Sequence, residues 1–97
     1  MPLEASQIEE ADAEALYPLT IPVKLKGGAE AVINLRYREP TIERLTGNKA
    51  SILSNLIAEW DVTEAPDYTY FSRRRLEYLE KLLEAITEDF NPSEKKG

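Results

Sequence analysis

Two runs of alternating apolar and polar residues joined by a diglycine, and behind them segments whose apolar residues recur at helical spacing, predict an α+β domain. The expected architecture is an N-terminal β-hairpin packed against two or three α-helices. A flexible acidic N-terminus (residues 1–15) precedes the domain (16–91), and a short disordered tail (92–97) follows it.

The first run places Tyr17, Leu19, Ile21, Val23 and Leu25 on one face and Thr20, Pro22, Lys24 and Lys26 on the other, the period of a half-buried strand. Pro22 removes a backbone donor, so this strand lies at a sheet edge or begins after Pro22. Gly27-Gly28 suits a tight turn, and alternation resumes through Ala29, Ala31, Ile33, Leu35 and Tyr37. Both apolar faces fall on odd numbers, so a hairpin closed around residues 27–30 sets them on one side, where helices must cover them.

Arg38-Glu39-Pro40-Thr41 ends the second strand, because a residue before proline is pushed toward extended geometry and Thr41 is a good N-cap. One short turn from Ile42 is expected, then a break at Gly47-Asn48, then a helix over 50–60 carrying Ile52, Leu53, Leu56, Ile57 and Trp60. Residues 61–67 read as a loop. Leu76, Leu79, Leu83, Ile86 and Phe90, with Leu82 beside that seam and Asn91-Pro92 as the stop, predict the strongest helix of the chain.

Composition excludes several classes. The 97 residues contain neither His nor Cys, which removes Ser-His-Asp and Cys-His nucleophiles and the tight zinc sites. Asp61, Glu64 and Asp67 share a loop, but their spacing matches no calcium loop. No catalytic residue, metal or cofactor is expected. No apolar window reaches membrane-spanning length, and the N-terminus has no basic region followed by an apolar run, so no membrane partner is expected. Eighteen acidic against twelve basic residues give a net charge of −6, which repels nucleic-acid phosphates. Five of the acids, Glu4, Glu9, Glu10, Asp12 and Glu14, stand in the first fifteen residues.

The residues expected to meet a protein partner are the stripe Ile52, Leu56 and Trp60, the aromatics Tyr68, Tyr70 and Phe71, and Arg74. Four aromatics within twelve residues exceed what so small a core needs, so at least one is expected at an interface. For Arg73-Arg74-Arg75 the ranking is solvated side chains first, an acidic protein surface second and nucleic acid a distant third.

The run from Leu19 to Thr41 resembles the tail assembly chaperones of contractile-tailed (Mu-like) bacteriophages and prophages. Leu19, Pro22, Leu25, Gly27, Gly28, Val32 and Leu35 carry the likeness, followed by Arg38, Glu39, Pro40 and Thr41, its most specific element. Leu76-Glu77-Tyr78 with Leu82, Ile86 and Phe90 looks like the family's closing helix, although Glu77 stands where the family usually has Asp.

The resemblance implies a non-enzymatic protein of the bacterial host cytoplasm that binds the aggregation-prone tape measure protein, keeps it soluble and aids assembly of the tail tube. The tail tube protein is then a second candidate partner, self-association stays open, and the protein is absent from the mature particle. The family also implies an extended form made by ribosomal frameshifting, for which the codons of Lys95-Lys96 are the expected slippery run. Two rival readings are a structural tail terminator or connector subunit, and a small acidic antitoxin-like regulator that masks a basic surface with residues 1–15.

Overall fold

The computed structural model describes Pro2 and residues 14–90. The segments read as an acidic tail and a disordered terminus otherwise lie outside the described residues. The architecture is α+β. A three-stranded antiparallel sheet in the order β1-β2-β3 combines β1 (Leu16–Lys24), β2 (Glu30–Arg38) and β3 (Ile57–Trp60) with three helices, α1 (Lys49–Leu56), α2 (Tyr68–Ser72) and α3 (Leu76–Phe90).

The hairpin pairs odd with odd, from Tyr17 opposite Tyr37 to Val23 opposite Ala31. Ile21, Val23, Ile33, Leu35 and Tyr37 are consequently buried on one face, while Pro18, Thr20, Pro22, Val32, Asn34 and Arg36 are exposed. The turn is a short 3-10 segment in which Gly27 and Gly28 take φ angles of 87° and 91°, a region an L side chain enters only with strain. Leu25 N–H donates to Ala29 C=O at 2.7 Å across it, so the hydrogen-bonded pairs of the hairpin are the odd-numbered ones. Pro18 and Pro22 fall on even positions of β1, whose backbone donors face away from β2 and out of the sheet. Strand β1 is therefore an edge strand whose outer side carries fewer donors.

The tetrapeptide after β2 fastens the hairpin to the next segment. Arg38 Nη1 donates to Asn55 C=O at 3.0 Å, Arg44 Nη1 to Glu39 C=O at 3.0 Å, and Arg44 N–H to Thr41 Oγ1 at 3.3 Å. Residues 42–45 form the expected single turn. Gly47 at φ 109° then reverses the chain, and Asn48 Oδ1 caps α1 by accepting Ser51 N–H at 2.9 Å.

Two expectations need correction. The helix predicted over 50–60 ends at Leu56, and Ile57–Trp60 crosses to pair with β2, Leu35 opposite Trp60 and Tyr37 opposite Ile57, with a bulge between. The apolar residues of this stretch fit either period, and the free side of β2 supplies hydrogen bonds that no local preference encodes. In α3 the buried residues are Leu79, Leu82 and Ile86, so the seam runs through Leu82. Leu83 is half-buried and Leu76 is exposed.

The core joins the odd face of the hairpin to Leu53, Leu56, Ile57, Phe71, Leu82 and Ile86. Phe90 closes its far end edge-on to Tyr17, with ring centres 5.4 Å apart. There the buried Tyr37 extends its hydroxyl to donate to Asp89 Oδ2 at 2.6 Å, tying the sheet to the last turn of α3.

Candidate protein-binding groove

Strand β3 is four residues long and leaves β2 early. Its final ladder step is unusual: Asp61 N–H donates to Asn34 C=O at 3.1 Å, but the reciprocal donor, Asn34 N–H, goes to Asp61 Oδ1 at 3.0 Å, a side-chain oxygen in place of the backbone carbonyl. Asn34 Nδ2 adds a bond to Asp61 Oδ2 at 2.9 Å and Thr20 Oγ1 donates to Asn34 Oδ1 at 2.7 Å. Held by Asn34 in this way, first by its side chain and then by its backbone, the Asp61 carboxyl lies below its ordinary pKa. The carboxylate thus ends the strand, and the chain turns off through residues 61–67. Among the described residues no strand lies beside Glu30–Ile33 on that side.

A groove of about 620 Å³ occupies this position. Val23–Lys26 and Ala31–Ile33 of the hairpin tip bound it on one side, Asp61 and Val62 at one end, and Tyr70, Arg73–Arg75 and Tyr78 on the other. It continues around the tip past Glu77 and Lys81. Leu25 and Val32, 51% and 55% exposed, give it an aliphatic lining open to solvent.

The charge is one-sided. Lys24, Lys26, Arg73, Arg74, Arg75 and Lys81, six of the twelve basic residues of an acidic chain, gather here. Among the described residues Lys24, Lys26, Arg73, Arg75 and Lys81 form no ion pair. Arg74 is placed differently: its guanidinium carbon lies 4.2 Å from the Tyr70 ring centre and Nε donates to Tyr70 C=O at 3.3 Å. The hydroxyls of Tyr70 and Tyr78 share a hydrogen bond of 3.1 Å, and burial, reinforced by that bond, pushes the Tyr78 phenol above its ordinary value.

The structure redistributes the residues predicted to bind. Leu56 and Phe71 are fully buried and Ile52 nearly so, and because α1 stops at Leu56 the stripe Ile52, Leu56, Trp60 does not exist as one helix face. Trp60 is half-buried and nests with Tyr70 and Phe71, its ring centre 5.0 and 5.4 Å from theirs, while Nε1 donates to Glu64 C=O at 2.7 Å. Tyr68 is exposed at the start of α2 and is the one aromatic of the four outside this nest. Tyr70 and Arg74 line the groove. Of the resemblance residues, Leu35, Arg38, Glu39, Thr41, Gly27, Gly28 and Phe90 have the scaffold roles described above, Leu19 and Pro40 are half-buried, and Pro22 sits on the outer edge of β1. Tyr78 faces the groove.

Sequence reasoning did not single out Lys24, Lys26 and Lys81 as binding residues, and for Arg73 and Arg75 it ranked an acidic protein surface only second, after solvated side chains. The visible signal was the concentration of cations just before the diglycine and just before Leu76.

A second groove of about 560 Å³ runs between α1 and α3, lined by Leu45, Ile52, Leu83, Glu80 and Glu84 and spanned by an ion pair of 3.9 Å between Lys49 Nζ and Glu80 Oε2. That pair is solvent-exposed and contributes little. Among the described residues no three acidic side chains converge as metal ligands, and no helix is long and apolar enough to cross a membrane. No family model, curated protein or solved structure matches the chain.

Proposed function

We propose that this chain is an assembly chaperone of the phage-tail kind, a non-enzymatic protein that acts in the host cytoplasm and holds stretches of the tape measure protein in the groove at its hairpin tip. One observation carries this reading. Among the residues on which the resemblance rests, most build the hairpin or the closing helix, but Leu25 and Val32 are over half exposed and line the basic groove. Aliphatic side chains that the core does not use, rimmed by charge, suit reversible capture of another chain.

Co-expression with the tape measure protein tests the reading. The expected results are a complex on a sizing column, a larger soluble fraction of the partner, and loss of both with Leu25→Ser plus Val32→Ser. Mass spectrometry of purified particles is expected to find the protein missing. A tape measure protein equally soluble alone and never co-eluting removes the assignment, and stoichiometric recovery from finished particles transfers the chain to the structural subunits.

A further inference from the structure

We infer that the groove accepts its partner by strand addition: an extended segment bearing carboxylates pairs with β2 along Glu30–Ile33 and continues the ladder that Asp61 cuts short. The inference rests on the protein-binding reading above and specifies the chemistry of the bound segment.

The backbone makes the slot. In an antiparallel hairpin the residues of one strand alternate, one directing N–H and C=O to its partner and the next directing both to the other side. The odd residues of β2 serve β1, as the Leu25–Ala29 bond fixes, and the even residues serve β3. Asn34 shows this directly, with both backbone groups bonded to Asp61. Val32 and Glu30, two and four residues earlier, direct theirs the same way, where β3 has already departed. The position opposite Val32 is where the residue two beyond Asp61 would stand if β3 continued.

The remaining edges differ. The outer side of β1 loses two donors to Pro18 and Pro22, a usual protection against unwanted pairing. The β2 slot has no such protection. Val32 is instead a β-branched residue favourable to pairing, and the slot is short enough that a folded protein adds nothing to it without a matching side-chain environment.

That environment selects for acid. Lys24 and Lys26 stand at the turn end, and Arg73, Arg74 and Arg75 form the facing wall. Of the two carboxylates at the slot, Asp61 is already committed to Asn34, and Glu30, at the turn end, stands against the larger number of cations. An incoming strand that carries both acids and an aliphatic residue meets cations unpaired among the described residues together with the exposed Leu25 and Val32. Nucleic acid fits less well. Arg74 lies over the Tyr70 ring, Trp60 and Phe71 pack T-shaped with it, and its hydroxyl holds Tyr78, so Tyr70 is already engaged and less open to base stacking.

The test uses the full chain and a fluorescein-labelled eight-residue peptide of alternating glutamate and valine. Anisotropy is expected to show saturable binding, weakened about tenfold or more by Arg73→Glu with Arg75→Glu, and similarly when alternate peptide nitrogens are methylated to remove donors while charge is kept. Hydrogen exchange supplies the readout that simple charge attraction does not move: the Val32 and Glu30 amides are expected to slow on addition of peptide while Ile33, already bonded to β1, stays unchanged. Val32→Pro removes the central donor on the open side and is expected to abolish binding with the circular dichroism spectrum retained. Equal affinity for the methylated peptide, an unchanged Val32 amide at saturation, or tighter binding of a thymidine oligonucleotide of equal charge would overturn the inference. Failure here with a tape measure complex intact removes the strand slot alone. Peptide binding without a tape measure complex keeps the slot and removes the chaperone reading.

Discussion

Replacing Tyr37 with Phe deletes one oxygen atom and isolates the bond that ties the hairpin to the end of α3. The hydroxyl donates to Asp89 Oδ2 at 2.6 Å, and a hydrogen bond to a charged acceptor contributes roughly 1.5–3 kcal/mol net. Asp89 is exposed and rehydrates once the donor is gone, which sets the expected loss near the lower bound, about 1.5 kcal/mol. The ring remains against Tyr17, whose centre is 5.5 Å away, so no cavity is added. For a domain of this size such a loss lowers Tm by about 6–12 °C. Asp89→Asn behaves differently. A carboxylate in the last turn of a helix is opposed by the helix dipole by about 0.3–1 kcal/mol, so neutralising it regains part of what the weakened bond loses. Asp89→Asn alone is therefore expected to cost no more than about 0.5–1 kcal/mol, being the difference of those two effects. Urea denaturation of both single variants and the double variant closes the cycle, with an expected coupling of about 1 kcal/mol. A Tyr37→Phe variant within about 0.3 kcal/mol of the parent, or additive losses, would refute the reasoning.

Leu56→Ala, at a side chain with no exposure, is expected to destabilise the domain by about 2–5 kcal/mol in the same assay, and its effect on any binding should follow the unfolded fraction. Asn48→Ala removes the cap that accepts Ser51 N–H and is expected to cost about 0.5–2 kcal/mol, with Asn48→Ser recovering most of it. Burial raises the phenol pKa of both Tyr37 and Tyr78, so their contribution to stability is complete below the unfolded phenol value of about 10 and is lost as pH rises past it. Denaturation midpoints are expected to fall from that pH upward, and less steeply in a variant with Phe at both positions. Equal slopes would contradict the assignment.

The hairpin was legible because a period of two over two nine-residue strands, interrupted by a diglycine, admits few other structures. Its register followed from parity alone. Thr41 marked the 42–45 turn and Gly47-Asn48 the start of α1 through local chemistry, which sequence carries directly. Strand β3 was hidden for the opposite reason. Leu53, Leu56, Ile57 and Trp60 satisfy helical spacing, and the decision between helix and strand was made by hydrogen bonds to Leu35–Tyr37, twenty or so residues away. Helix α2, five residues long, is too short to show periodicity, although Asp67, which caps it by accepting Tyr70 N–H at 3.0 Å, was visible as a turn former. The groove was illegible for both causes together: it exists only because β3 stops at Asp61, and its cations come from segments some fifty residues apart in sequence.

That separation bears on how the molecule selects. The groove gathers six cations against Asp61 and Glu77, a net charge of +4, while the other described residues carry eleven acids and four bases, a net −7. For the strand addition proposed above, such polarity would orient an acidic segment toward the hairpin tip and favour encounter in one pose. On the same proposal, Leu25 and Val32 would discriminate by shape at short range, where screening matters little. Scaffold and selection are largely divided between different residues. Arg38, Glu39 and Thr41 fasten the hairpin to α1 and to the 42–45 turn without lining the groove, while Lys24, Lys26, Arg73, Arg75 and Lys81 have no ion-pair partner among the described residues. Substitutions among the second set are therefore expected to change affinity in the proposed peptide assay with little loss of stability, whereas substitutions in the first set endanger the hairpin on which the proposed slot depends.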